Sequence, residues 1–187
     1  DALELAEVYP IKESMVADLE IDLGNIFMRL EQYEKTDSLL NSILQNRKEY
    51  LSKSQVADIH NNLGLCCFNE RKAEKALRHF KEAESIYISL NTTKSLSKIY
   101  NNLASFYTEL QVEESKAIEY YKKAIAIKSS IEDSSGLSYS YYNVASLFYN
   151  LKSLDSAIHY GLLAETYSFY NNENLSGIYY LLSQVYS

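Results

Sequence analysis

The chain has 187 residues, 47% hydrophobic and 23% charged, a balance that supplies a packed core and argues against disorder. Twenty-five acidic residues against 18 basic ones leave a net charge of −7 with no run of lysine or arginine, which argues against nucleic acid as a partner. No apolar run reaches the roughly 18 to 20 residues that span a bilayer, no basic-then-apolar segment opens the chain, and one proline among five glycines leaves few interruptions to helix.

In chain order, residues 1–13 (DALELAEVYPIKE) read as the end of a helix that closes near Pro10. From there an apolar anchor recurs at Leu23, Leu63, Leu103, Val144 and Leu182, at spacings of 40, 40, 41 and 38 residues. A small residue follows each anchor (Gly24, Gly64, Ala104, Ala145, Ser183), and Phe27, Cys67, Tyr107, Phe148 and Tyr186 follow three residues later. These spacings place one stripe on a helix and let a second helix approach at the small residue.

Thirteen or fourteen residues beyond each of the first four anchors comes another apolar set: Thr36 with Leu40, Ala76 with Phe80, Ala117 with Tyr121, Ala157 with Gly161. Ile43, Ala83, Ala124 and Ala164 continue it. Polar turns such as NERKAEK (Asn69 to Lys75) and LKSLDS (Leu151 to Ser156) join the two helices, with Ser153 placed to cap the second. NTTKS (Asn91 to Ser95) and EDSSG (Glu132 to Gly136) join successive hairpins, and Ser52 with Gln55 has capping-box spacing. Four hairpins therefore begin near residues 14, 54, 95 and 135. Residues 175–187 read as a first helix without a partner, its stripe of Ile178, Tyr179, Leu182, Val185 and Tyr186 having nothing after it to cover it. The whole, 1–187, reads as one array and as a slice of a longer protein.

Anchor–small–x–x–aromatic followed by Ala-x-x-x-Phe, here HNNLGLCC with ALRHF, resembles the tetratricopeptide repeat, in a long variety with a period near forty. The resemblance implies an all-α, right-handed superhelical solenoid of antiparallel helix hairpins. Gly161, where the family has a large aromatic, and Thr36, where it has alanine, are departures within single repeats.

HNNLG (His60 to Gly64) returns as YNNLA (Tyr100 to Ala104) and YYNVA (Tyr141 to Ala145), although asparagine is a poor helix former. By the resemblance, the residue before each anchor lines the concave face, which places Asn62, Asn102 and Asn143 there, with Asp22 and Leu181 as their counterparts at the ends. An amide offers donor and acceptor together, so a ladder of asparagines suits the backbone of an extended peptide; a hydrogen bond to the next helix and coincidence in an asparagine-rich chain, 14 of 187 residues, are the alternatives. Around the ladder the expected groove runs from acidic (Asp18, Asp22, Asp58, Asn61) through Lys98, Asn101 and Ser105 to aromatic (Tyr139, Tyr142, Tyr149, Tyr180). Only Lys98 and the asparagines match the family's carboxylate-binding groove, so chaperone tails are a poor fit.

His60, His79 and His159 lack metal-ligand spacing, SLSK (Ser95 to Lys98) lacks the companions of a Ser-x-x-Lys nucleophile, and no phosphate loop occurs. The adjacent Cys66 and Cys67 read as small buried hydrophobes. The sequence therefore points to a non-enzymatic module without cofactor or metal that binds a protein or peptide segment. A sensory or autoregulatory part of a larger bacterial signalling protein is a second reading, and a self-associating module, a weak homodimer through exposed array ends, is a third. A cytoplasmic location is weakly favoured.

Overall fold

Cap residues and left-handed turns set where the helices start and stop. The computed structural model describes residues 2–111, 113–168 and 175–186, with side chains at 12–111, 113–168 and 176–185. Among the described residues there are nine α-helices and no strand, in two compact units, Asp1–Thr92 and Thr93–Ser187.

The first unit contains α1 (Ala2–Arg29), α2 (Tyr33–Asn46), a short 3₁₀ turn (Lys48–Tyr50), α3 (Lys53–Asn69) and α4 (Ala73–Leu90). The break expected near Pro10 is absent, and α1 runs unbroken for 28 residues. Proline deletes one i→i−4 bond and strains the turn before it, which the rest of a long helix can tolerate. Ser52 caps α3 through the full capping box with Gln55. Asn91, at a φ of 51°, closes α4 in the left-handed region that asparagine tolerates.

Successive helices pack on one another, α1 on α2, α2 on α3 and α3 on α4. Leu40 and Ile43 of α2 meet Ile59 and Leu63 of α3 in a buried cluster. The small residue after the anchor has a direct reason here: a Cβ on Gly64 would lie 2.5 Å from the Phe80 ring, and one on Gly24 would lie 2.9 Å from Leu40. Thr36 is fully buried and returns its hydroxyl to the Gln32 carbonyl at 3.1 Å, so it fills an alanine position at no cost in unpaired polar atoms. The first anchor departs from expectation, because Leu23 is exposed.

The second unit contains α5 (Thr93–Leu110), α6 (Glu114–Ser130), α7 (Ser134–Asn150), α8 (Leu154–Ser168) and α9 (Leu175–Tyr186), again packed in succession. Asp133 caps α7 by accepting from the Gly136 N–H at 2.9 Å. Ser153 stands before α8, its hydroxyl bonded to that of Ser156 at 3.0 Å. The stripe on α9 is not bare: Ile178 and Leu182 are buried against Ala164 of α8, with Tyr141 and Tyr142 beside them. Gly161 explains itself in the same contact, since a Cβ there would lie 2.8 Å from Leu182. Tyr179 stays exposed and the Tyr186 side chain lies outside the described residues.

Candidate functional site

The polar flank of each first helix carries the residues that sequence reasoning singled out. In the first unit Asp18, Asp22 and Asp58 are exposed and Asn61 and Asn62 half-buried. Two of these carboxylates also serve the scaffold. Asp18 accepts from Gln55 Nε2 at 2.5 Å, one repeat away, and Asp58 accepts from the Tyr87 hydroxyl of α4 at 2.5 Å. Asn62 donates through Nδ2 to Asn25 Oδ1 of α1 at 2.8 Å and accepts from Asn61 at 3.3 Å. Its amide thus bridges two first helices, using one donor and one acceptor and leaving a second of each.

In the second unit Lys98, Tyr139 and Tyr180 are exposed, Asn102, Ser105, Tyr142, Asn143 and Tyr149 are half-buried, and Asn101 and Leu181 are buried. Asn101 is not available at the surface. Its Oδ1 accepts from Ser140 Oγ of α7 at 2.9 Å, the counterpart of the Asn25–Asn62 bridge. Ser105 shares a 3.2 Å hydrogen bond with the Tyr121 hydroxyl, and Tyr142 lies over Gly177 of α9. Asn143 Nδ2 is buried with no acceptor among the described atoms.

Lys128 is the residue that sequence reasoning missed. It is buried at the end of α6 and donates to Ser140 Oγ at 2.7 Å and the Gly136 carbonyl at 3.1 Å. Burial lowers its ammonium to about 8, with Asp133 acting the other way and Lys98 adding to the depression. The signal was present, since Ala117, Tyr121, Ala124 and Lys128 follow the 4-3-4 spacing of the core stripe.

His60 of α3 and His79 of α4 also form an unforeseen pair, Nδ1 to Nδ1 at 3.0 Å. The ring centroids are 5.3 Å apart, the nitrogen separation plus about one ring radius at each end, so the two nitrogens point at one another. One must donate while the other accepts. Burial lowers both from the ordinary range. Cys66 and Cys67 are free and buried, and burial pushes the Cys66 thiol up to about 12, where it is inert. Among the described residues no group of three or more His, Cys, Asp or Glu could hold a metal ion, and no helix is long and apolar enough to cross a membrane.

Helix hairpins in succession, a small residue seated on a ring, and a polar flank on each first helix define an all-α protein of tetratricopeptide-repeat fold, and residues 15–89 match the family model described as tetratricopeptide repeat. No curated protein matches the chain in sequence. Among solved structures, BtubC (BKLC) from P. vanneervenii is 20% identical with a TM-score of 0.80, over 99% of this chain and 77% of that one. Aspartyl phosphate phosphatase F from Bacillus subtilis is 18% identical with a TM-score of 0.85, over 92% of this chain and 46% of that one. The nearly identical TPR-like repeats of a putative kinesin light chain from Podosopora anserina are 14% identical with a TM-score of 0.72, over 93% of this chain and 86% of that one. At these identities the likeness is one of fold.

Proposed function

We propose that this chain is a non-enzymatic scaffold that binds protein or peptide segments along the polar flank of its first helices. The supporting observation is that this flank exposes different side chains in the two units: the carboxylates Asp18, Asp22 and Asp58 in the first, one lysine, Lys98, with the tyrosines Tyr139 and Tyr180 in the second. The first unit then suits basic segments and the second apolar or aromatic ones. Asn62, Asn102 and Asn143, all half-buried on this flank, are the amides proposed to read a ligand backbone; Asn61, Asn101 and Tyr142 support them. Neither nucleic acid nor membrane is a partner of these surfaces. A second reading is the sensory or autoregulatory part of a larger bacterial signalling protein; the chain spans 46% of aspartyl phosphate phosphatase F from Bacillus subtilis, to which it is similar in fold.

Tiled peptides from captured partners test the first reading. Binding to the first unit should weaken as salt rises and on Asp22→Lys with Asp58→Lys. Binding to the second should weaken on Tyr139→Ala with Tyr180→Ala and on Asn102→Ala with Asn143→Ala. A captured partner whose affinity none of these substitutions moves would sink the reading.

A further inference from the structure

The connection between α2 and α3 is longer than the two joints between hairpins that follow it. It takes residues 47–52, with the 3₁₀ turn Lys48–Tyr50, where 91–92 suffice between α4 and α5 and 131–133 between α6 and α7. The added residues are held in place. Arg47 is bound to Glu13 and Glu20 of α1, the amides of Tyr50 and Leu51 donate to the Arg47 and Lys48 carbonyls at 2.9 and 3.2 Å, and Leu51 packs on the core cluster of α2 and α3. A loop fixed on a rigid scaffold is where binding residues concentrate.

This turn, the first turn of α3 and the last turns of α4 enclose a cavity of about 390 Å³, within the range of about 300–1,000 Å³ of small-molecule sites. Leu51, Val56 and Ile86 give it an apolar lining, and Lys48, Lys53 and Ser85 stand among them. Both charged residues of the lining are lysines, in a chain of net charge −7. They are not neutralised from within. Lys72, Lys81, Lys116 and Lys123 each pair with a glutamate close in sequence, whereas neither Lys48 nor Lys53 has a carboxylate in ion-pair reach among the described residues.

The lining selects the ligand. Two unpaired ammonium groups at the start of a helix favour an anion. A phosphate at such a place is held by free backbone N–H groups, and here the capping box has taken those of Ser52 and Gln55. A carboxylate needs only the two lysines, and the apolar lining suits an aliphatic chain behind it. We propose that this cavity binds a small aliphatic carboxylate, its head held by Lys48 and Lys53 and its chain lying against Leu51, Val56 and Ile86. The cavity shares no residue with the polar flank of the proposed function, so either can fail without the other.

Equilibrium dialysis of isotopically labelled octanoate against the full chain, below the concentration at which octanoate forms micelles, tests it. Octanoate should bind saturably, and octanol and octylammonium should compete at least roughly tenfold more weakly than unlabelled octanoate. Lys48→Ala with Lys53→Ala should weaken octanoate binding by a similar factor, and Lys48→Arg with Lys53→Arg should retain it; both lysines are exposed, so the melting curve should not move. Ser85→Phe, at an exposed position of α4, should fill the cavity and abolish binding with the helical circular dichroism unchanged. No saturable binding up to about 1 mM overturns the proposal. Octanol competing as well as octanoate, or binding indifferent to the alanine pair and to Ser85→Phe, overturns it as well, since the uptake would then be adsorption to exposed apolar side chains. Octyl phosphate competing at least roughly tenfold better than octanoate would make the head group a phosphate and overturn the choice of carboxylate.

Discussion

The two units build the same hairpin from different side chains. In the first, glycine after the anchor admits a large apolar side chain, Gly64 beneath Phe80 and Gly24 beneath Leu40, and the first helices are tied by amides and carboxylates: Asn25 to Asn62, Asp18 to Gln55. In the second, tyrosine takes over. Tyr107 stacks on Tyr120 at 6.0 Å, Phe148 on Tyr160 at 5.4 Å and Tyr141 on Tyr167 at 5.6 Å, and the tie between first helices runs from Asn101 through Ser140 to a buried lysine. The repeat therefore specifies where two helices touch and leaves the chemistry of the touch open, provided volume and hydrogen bonding are both satisfied.

The comparison breaks most sharply at Phe80. Phe80→Ala should empty the space that Gly64 was kept small to create and destabilise the protein by about 3–5 kcal/mol in urea unfolding. Its counterpart Tyr121→Phe keeps the ring, removes the hydroxyl's bonds to Ser105 and Thr108, and should cost about 1 kcal/mol. A loss at Tyr121→Phe as large as at Phe80→Ala would show that the hydroxyl, rather than the ring, holds this position in the second unit.

The buried lysine supplies the next contrast. Its pKa falls from 10.5 to about 8 on folding, so above about pH 8 the unfolded chain binds the proton that the folded chain has released. The lysine's contribution to stability should accordingly rise with pH by up to about 1.4 kcal/mol per unit, reaching about 2 kcal/mol by pH 10. That contribution is the difference between the wild-type and Lys128→Met curves, because the raised Cys66 and Cys67 thiols act the other way above about pH 9; parallel curves for the two would mean the ammonium is not desolvated.

Acid should find the first unit through its histidines. Both are held below the ordinary 6.5 by burial, with Arg78 and Lys48 disfavouring and Glu82 and Asp37 favouring charge. The unfolded chain therefore takes up protons first, and stability present above pH 6.5 is lost as pH falls through the folded values. His79→Gln should flatten that decline, measured by thermal unfolding between pH 7 and 5. The smallest effect is expected at Asn62, where alanine forfeits the bond to Asn25 but regains roughly 0.7 kcal/mol of helix propensity. The melting temperature of Asn62→Ala should stay within about 2 °C of the parent; a larger fall would make the bridge the main tie between α1 and α3.

Much of this was legible in the chain. A forty-residue period, small residues beside anchors, a capping box at Ser52 and the scarcity of proline and glycine are local signals, and they determined helices, turns and the fold, because helix phase follows from spacing alone. Tertiary structure decided what each polar face does. Spacing places Asn62, Asn101 and Asn143 near one flank, but only the neighbouring helix makes the first a bridge, buries the second and leaves the Nδ2 of the third without an acceptor. Leu23 and Leu63 occupy the same position in the same pattern, yet one is exposed and the other fully buried. Burial depends on what packs against a side chain, and hydrogen bonding on which partner comes within about 3 Å; neither is a property of the residue or of its period.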